Sequence, residues 1–257
     1  MNTWYWLRAR GPIWLSFVFP QECLWCGADL SPQLVQKRVW GFKFQFVEDQ
    51  LHRNLCADCF LALRPAKSRC VYCSKPAPDY LTCRKCLKPS RVARGVAALS
   101  YKDGLVQAAV QAFKYRFLKG LAEPLGARLS EILRQVLLDA PARRTYITAV
   151  PLSQKRLRWR GFNQAQLLAN LVGADLSLSQ AQVFTRVFDG PALATLPENL
   201  RRRAIDGAFA LQDLPRDCER LIIIDDVWGT GATVGELIKL ARLRRPELEI
   251  WAAVVAS

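Results

Sequence analysis

Eight of the nine cysteines in this 257-residue chain form four Cys-x-x-Cys pairs: Cys23/Cys26, Cys56/Cys59, Cys70/Cys73 and Cys83/Cys86. No other feature restricts the fold as much. Two thiolates at this spacing grip one tetrahedral metal from a tight knuckle, and two knuckles close a four-cysteine site. Four pairs therefore predict two structural Zn²⁺ ions, which replace a hydrophobic core in a small, loop-rich module. Pairing can be sequential, first with second and third with fourth, or cross-braced. The nine-residue loop between Cys73 and Cys83 favours sequential closure, because a short loop closes cheaply. Disulfides belong to secreted chains, and no secretion signal is visible. A thioredoxin-like redox site needs only one such pair. His52, the only histidine, lies four residues before Cys56, where both sites already have their ligands. A single histidine there also argues against a Ser-His-Asp triad elsewhere. Cys218 is left over, with no role assigned.

The N-terminus is aromatic (Trp4, Tyr5, Trp6, Trp14, Phe17, Phe19). Its longest apolar run, Pro12 to Pro20, is too short to span a bilayer and reads as a packing helix. With no transmembrane segment and no cleavage site, a cytoplasmic protein is expected. Lys88-Pro89-Ser90-Arg91 marks where cysteines stop and periodic patterns begin. The expected division is 1–90, an N-terminal helix with a double zinc-binding module, and 91–257, a second domain.

In that second part, Val106, Ala109, Val110, Phe113 and Phe117 follow helical spacing, and a further helix is expected over Leu121–Leu138. Thr145–Leu152 reads as a strand. Asn163 with Gln166, and Thr233 with Glu236, have capping-box spacing. Ala165, Leu168, Ala169 and Val172 form one helical stripe, and Val234, Leu237, Ile238 and Ala241 another. Ala181–Val187, Gly207–Leu211 and Leu248–Val255 read as strands, and Leu221–Ile224 as a buried central one. Strands alternating with helices imply an α/β fold with an open, mostly parallel sheet.

The net charge of +15 is spread along the chain, with 15 basic and 6 acidic residues in 1–100 and 22 and 16 in 101–257. Such a surface favours polyanions: nucleic acid, phosphorylated ligands or anionic lipid.

The strongest chemical signal is Leu221-Ile222-Ile223-Ile224-Asp225-Asp226-Val227-Trp228-Gly229-Thr230-Gly231-Ala232-Thr233. A buried strand delivers two acids at its carboxyl end, where open α/β sheets bind ligands. A Gly/Thr turn then opens a helix, whose N–H groups and dipole suit a phosphate dianion. The acids can accept hydrogen bonds from vicinal ribose hydroxyls. No Gly-Lys-Ser/Thr follows, which excludes a Walker A loop. Gly229-x-Gly231 only superficially mimics a dinucleotide fingerprint, since two acids precede it and no second acidic strand follows.

This stretch resembles the phosphoribosyl pyrophosphate motif of type I phosphoribosyltransferases, with Gly229 in place of the first threonine. The wider order of zinc pairs, Lys114-Tyr115, Val150-Pro151-Leu152, Arg160-Gly161-Phe162-Asn163-Gln164 and Gly207-Ala208-Phe209 is similar to ComF-type proteins, which are associated with bacterial competence and DNA uptake or utilisation. Ala204 stands where that family usually has asparagine, and Leu193 near its usual glutamine. The resemblance implies a zinc module joined to a phosphoribosyltransferase-like domain. It also implies a phosphoribosyl pyrophosphate-type ligand with Mg²⁺, single-stranded DNA as a partner, and contact with other DNA-uptake proteins at the inner membrane. Asp225 and Asp226 would be the catalytic acids, and Gly229, Thr230, Gly231, Ala232 and Thr233 the ligand-binding turn. Lys155, Arg156, Arg158 and Arg160 follow the Val150-Pro151 strand end, where they could face a pyrophosphate leaving group or DNA phosphates. Trp159 in their midst is a candidate base stacker or a buried anchor. Arg201-Arg202-Arg203 falls where the family keeps a mobile loop. No base-reading hood is expected after the final strand, which favours ligand binding over catalysis. The alternatives are an active salvage or biosynthetic phosphoribosyltransferase, and a non-enzymatic scaffold with a vestigial site.

Overall fold

The computed structural model describes residues 22–30, 33–39, 42–48, 54–138, 140, 143–188 and 205–257. The expected N-terminal helix, His52, Leu193, Arg201–Arg203 and Ala204 lie outside the described residues. The chain divides into two compact units, Met1–Ala62 and Leu63–Ser257. Among the described residues, no helix is long and apolar enough to cross a membrane.

In the first unit, β1 (Gln33–Val39) and β2 (Phe42–Glu48) pair antiparallel, from Val39 opposite Phe42 to Gln33 opposite Glu48. The alternation of Phe42, Phe44 and Phe46 is the period-two signal behind β2. A short helix, α1 (Ala57–Ala62), follows.

The second unit is built on five parallel strands: β3 (Arg94–Leu99), β4 (Thr145–Ala149), β5 (Ser179–Gln180), β8 (Arg220–Val227) and β9 (Glu249–Ala256), in spatial order β3-β9-β8-β4-β5. A separate two-stranded ribbon joins β6 (Phe184–Arg186) to β7 (Phe209–Leu211). Leu221, Ile222, Ile223 and Ile224 are wholly buried, as a parallel strand covered on both faces requires. Leu221 and Ile223 face a core shared with Phe184, Phe209, Val234, Leu237, Ile238 and Trp228. That core sits under α6 (Ala232–Arg244). By strand alternation Ile222 and Ile224 face the other side. That face carries α3 (Ala122–Leu138) and α5 (Gln164–Asp175), which pack on each other and across the strands.

The helix α2 (Gly104–Tyr115) begins where Asp103 accepts hydrogen bonds from the N–H groups of Leu105 and Val106, and it ends before Phe117, which takes a left-handed φ of 58°. Three other expectations change. The strand expected over Thr145–Leu152 stops at Ala149, because Pro151 has no N–H and Ser153 caps a seven-residue helix, α4 (Gln154–Arg160). The strand expected over Ala181–Val187 is cut to Phe184–Arg186, which pairs with β7, while the N–H of Ala181 bonds the carbonyl of Ile147 on β4. Neither capping box closes. Asn163 caps α5 at the N–H of Ala165, but Gln166 bonds Asn170 and Gln182 instead. Gly231, not Thr233, is the N-cap of α6, and Glu236 accepts from the N–H of Gly207.

The free edge of β3 is covered by residues 65–82. Ala66 N–H bonds the carbonyl of Ala98, Thr82 N–H that of Ala93, and Arg94 donates to the carbonyl of Asp79. An edge strand left open is a template for aggregation, and here the segment that closes it carries Cys70 and Cys73 of the second cysteine cluster.

Candidate metal centres and a candidate phosphate site

The cysteines gather in sequential pairs. Cys23, Cys26, Cys56 and Cys59 form one cluster, and Cys70, Cys73, Cys83 and Cys86 the other, with all sulfurs of a cluster within 4.8 Å of one another. Cys26 Sγ lies 3.6 Å from Cys56 Sγ, and Cys73 Sγ 3.7 Å from Cys83 Sγ. Tetrahedral zinc with Zn–S bonds near 2.3 Å places its sulfurs about 3.8 Å apart, so both clusters fit that ion. Backbone donors prepare the first thiolate of each. Burial opposes charge on Cys23, yet N–H groups of Cys26, Cys56 and Trp25 outweigh it and bring the thiol down to about 6. Cys70 comes down to about 6 in the same way, its donors being Cys83, Tyr72 and Cys73. Burial and then the neighbouring sulfurs push Cys59 and Cys86 upward. Four crowded sulfurs ionise together only with a cation between them, the charge that a tetrahedral metal supplies.

The cleft follows from topology. From β4 the chain moves outward to β5, and from β8 it moves the opposite way to β9. Connections leaving two adjacent strands in opposite directions open a crevice at their carboxyl ends. A cleft of about 750 Å³ occupies this place, lined by Asp225, Asp226, the Gly229–Thr233 turn, the end of β4, and the α4 side chains Lys155, Arg156, Trp159 and Arg160.

The acids have different environments. Asp226 is buried and pairs with Lys114 of α2, Oδ1 to Nζ 2.7 Å. Burial works against the Lys114 charge, but Asp226, with Asp225 behind it, holds its pKa above the usual lysine value. Asp225 accepts a hydrogen bond from the N–H of Asp226 at 2.8 Å. Burial, then the charge of Asp226, lifts Asp225 to about 7, against partial relief from Lys114. Asp225 is therefore the carboxylate left to meet a ligand, and Asp226 is balanced by a lysine.

The turn has two different glycines. Gly231 has φ 71°, and a Cβ there would meet the Trp228 ring at 2.7 Å, so only glycine fits. A Cβ on Gly229 would meet nothing within 4 Å. The first N–H groups of α6 have no intrahelical acceptor and open toward the cleft.

Across the cleft, α4 presents Lys155, Arg156, Trp159 and Arg160 on one face; Arg158 lies on the other, exposed, and does not line the cleft. Arg160 donates to Gln164 Oε1 at 2.5 Å. Burial lowers the Arg160 pKa, with partial compensation from Asp226. Asn163 ties the site together, donating to the carbonyl of Val150 while capping α5. Trp159 is an exposed residue and no buried anchor: it is 59% exposed and meets Phe117 edge-on, ring centroids 5.1 Å apart. Tyr115, 53% exposed, completes an aromatic rim. Reasoning from the sequence missed Lys114 and Gln164 as site residues, although both fall in the motif segments that carried the family resemblance. It also missed Trp228. Cys218 is buried and donates to the carbonyl of Arg220.

Taken together, these features define a class: an α/β protein with a polar cleft at its switch point and two four-cysteine knuckle sites that fit zinc. Over 208 residues the chain is 33% identical to DNA utilization protein YhgH of Escherichia coli O157:H7, across 78% of this chain and 89% of that one. It is 25% identical over 219 residues to Competence protein ComFC of Bacillus subtilis, across 82% and 85% of the two chains. It is 26% identical over 207 residues to Competence protein F of Haemophilus influenzae, across 77% and 89%. The chain belongs to the ComF-type competence family. No protein-family profile matches it.

Proposed function

We propose that the protein binds a phosphoribosyl pyrophosphate-type ligand with Mg²⁺ in this cleft, holds two structural Zn²⁺ ions, and contacts single-stranded DNA in DNA uptake or utilisation. The observation that carries the reading is the facing of two chemistries across one cleft. The Gly229–Thr233 turn at the start of α6 suits a 5-phosphate, with Asp225 beside it for ribose hydroxyls. The cationic face of α4 suits a pyrophosphate or a DNA backbone. The names of the relatives, DNA utilization and competence, support the DNA part of the reading. The exposed rim of Tyr115, Phe117 and Trp159 offers π-faces to bases without reading their sequence.

Calorimetry with phosphoribosyl pyrophosphate and Mg²⁺ tests the ligand, and fluorescence anisotropy with a labelled oligothymidylate over a salt series tests the DNA. If about five phosphates are neutralised, log affinity falls against log salt with a slope near −3.5. Replacing Lys155 and Arg156 by alanine makes that slope shallower, while Asp225→Asn leaves it unchanged. No binding of either ligand at low salt overturns the reading.

A further inference from the structure

The third knuckle differs from the other three in what its two spacer residues do. Cys70 and Cys73 enclose Val71 and Tyr72, and both side chains pack against the α/β core beside Trp228. Val71 sits on the β3 backbone at Gly95, where an added Cβ would collide with Val71 Cγ1 at 2.3 Å. The Tyr72 ring meets Trp228 edge-on, centroids 5.3 Å apart at 87°. Its hydroxyl accepts the N–H of Val92 at 3.1 Å, and the Arg91 guanidinium lies 4.4 Å from its ring centroid. Tyr72 is thus fixed from three sides. Trp228, 8% exposed, passes the constraint on, because its ring fills the space over Gly231. The spacer residues of the fourth knuckle, Arg84 and Lys85, are exposed, as is Trp25 of the first.

We propose that Tyr72 and Trp228 are positioning residues that brace the phosphate turn, so that the second cysteine cluster, through Tyr72, sets the shape of the Gly229–Thr233 turn. The consequence for ligand affinity rests on the phosphoribosyl reading; the brace itself does not. The shape of the Cys70-Val71-Tyr72-Cys73 knuckle is the shape its thiolates take around a shared ion. When the knuckle opens, Tyr72 leaves Trp228, Trp228 gains room to rotate, and Gly231 loses the surface that holds its left-handed backbone. Proximity and orientation are what a preformed anion site supplies, so loosening the turn weakens binding without touching any ligand contact.

The test uses the full-length, zinc-loaded chain and two readouts. The first is hydrogen–deuterium exchange of the amides of 229–235 without ligand. The second is calorimetry with phosphoribosyl pyrophosphate and Mg²⁺. Tyr72→Ala should retain its zinc, accelerate exchange in 229–235 more than in β8 and β9, and weaken binding by about tenfold, an ordinary site–site coupling. Tyr72→Phe keeps the ring and should restore both readouts to near wild type, which a general loss of stability would not do. Cys73→Ser, which also loses that zinc, should accelerate exchange in 229–235 as Tyr72→Ala does and along β3 in addition, and Cys26→Ser in the first cluster should leave exchange in 229–235 as in wild type. Unchanged exchange in Tyr72→Ala overturns the brace. If wild type does not bind but exchange responds as expected, the phosphoribosyl reading falls and the brace stands.

Discussion

The two cysteine clusters are built alike and surrounded differently. Cys23 and Cys70 open the same knuckle. Each N–H bonds a carbonyl five residues on, Ala28 or Lys75, and each carbonyl accepts from the N–H of Gly27 or Ser74. Gly27 and Ser74 both take left-handed backbones, at φ 73° and 58°. The loops between the paired knuckles differ: 29 residues carrying the β1–β2 hairpin in the first cluster, nine in the second. Their units also differ, since the second cluster belongs to the unit that holds the cleft. A Cys-x-x-Cys spacing dictates how the metal is held; the residues inside and around it decide what the metal holds together.

The largest test separates the clusters by stability. Cys70→Ser should cost one zinc and also release the 65–82 segment from the β3 edge. Structural zinc contributes on the order of 10 kcal/mol of apparent binding energy, so the melting temperature of 63–257 should fall by more than about 10 °C. Aggregation through the opened edge should follow. Cys56→Ser should also cost one zinc but shift the melting of 63–257 by less than about 2 °C. Elemental analysis with scanning calorimetry checks both. Equal shifts would erase the distinction between the clusters, and a chain that folds without zinc would remove its basis.

A smaller effect asks how far the second cluster reaches. Asp225 and Asp226 precede Trp228 on β8, and their balance is set by Lys114, not by a knuckle residue. Asp226→Asn strands the Lys114 ammonium and should destabilise by about 2 kcal/mol. Asp225→Asn should act in the opposite direction and depend on pH. The folded carboxyl titrates at about 7, whereas an unfolded one titrates near 3.9. The folded state therefore holds a proton that the unfolded state releases, and the stability present below the unfolded value is lost as pH rises through about 7. Asp225→Asn should leave the melting temperature unchanged near pH 4 and raise it near pH 8. For the wild type, affinity for the phosphoribosyl ligand should rise over the same window, since the ribose hydroxyls need an ionised acceptor. A melting difference that is flat with pH would show that Asp225 is charged throughout.

How much of this was legible depended on whether the signal was local. The zinc pairing and the strand-acid-acid-turn were readable because spacing alone carries them: a nine-residue loop favours sequential closure, and Leu221–Ile224 is continuous apolar strand. β3 was not read, because Arg94-Gly95-Val96-Ala97-Ala98-Leu99 has little β-propensity and becomes a strand by pairing with β9. β1 and β2 were not read either, although Phe42, Phe44 and Phe46 alternate plainly. The helix α4 was read only as residues following a strand end, since seven residues give too few turns for a periodicity. Lys114, Tyr72 and Trp228 reach their roles across the fold, from α2, a cysteine knuckle and the residue just after β8, and no spacing in the chain announces such a meeting.

The smallest expected effect sharpens the comparison inside a single turn. Gly231 is joined to the second cluster through Trp228, and Gly229 is not. Gly231→Ala forces a Cβ into the Trp228 ring on a left-handed backbone and should cost roughly 1–3 kcal/mol of stability. Gly229→Thr places its Cβ in open space, so stability should change by less than about 0.5 kcal/mol. It also supplies the hydroxyl that the phosphoribosyl pyrophosphate motif carries at this position. One added hydrogen bond contributes about 0.5–1.5 kcal/mol, so affinity for the phosphoribosyl ligand should rise roughly two- to tenfold. Calorimetric titration of the two variants against wild type measures this. A threonine that weakens binding would mean that the ligand approaches the backbone at 229 more closely than a side chain allows. Gly229 would then be a feature of this site, not the loss of a donor.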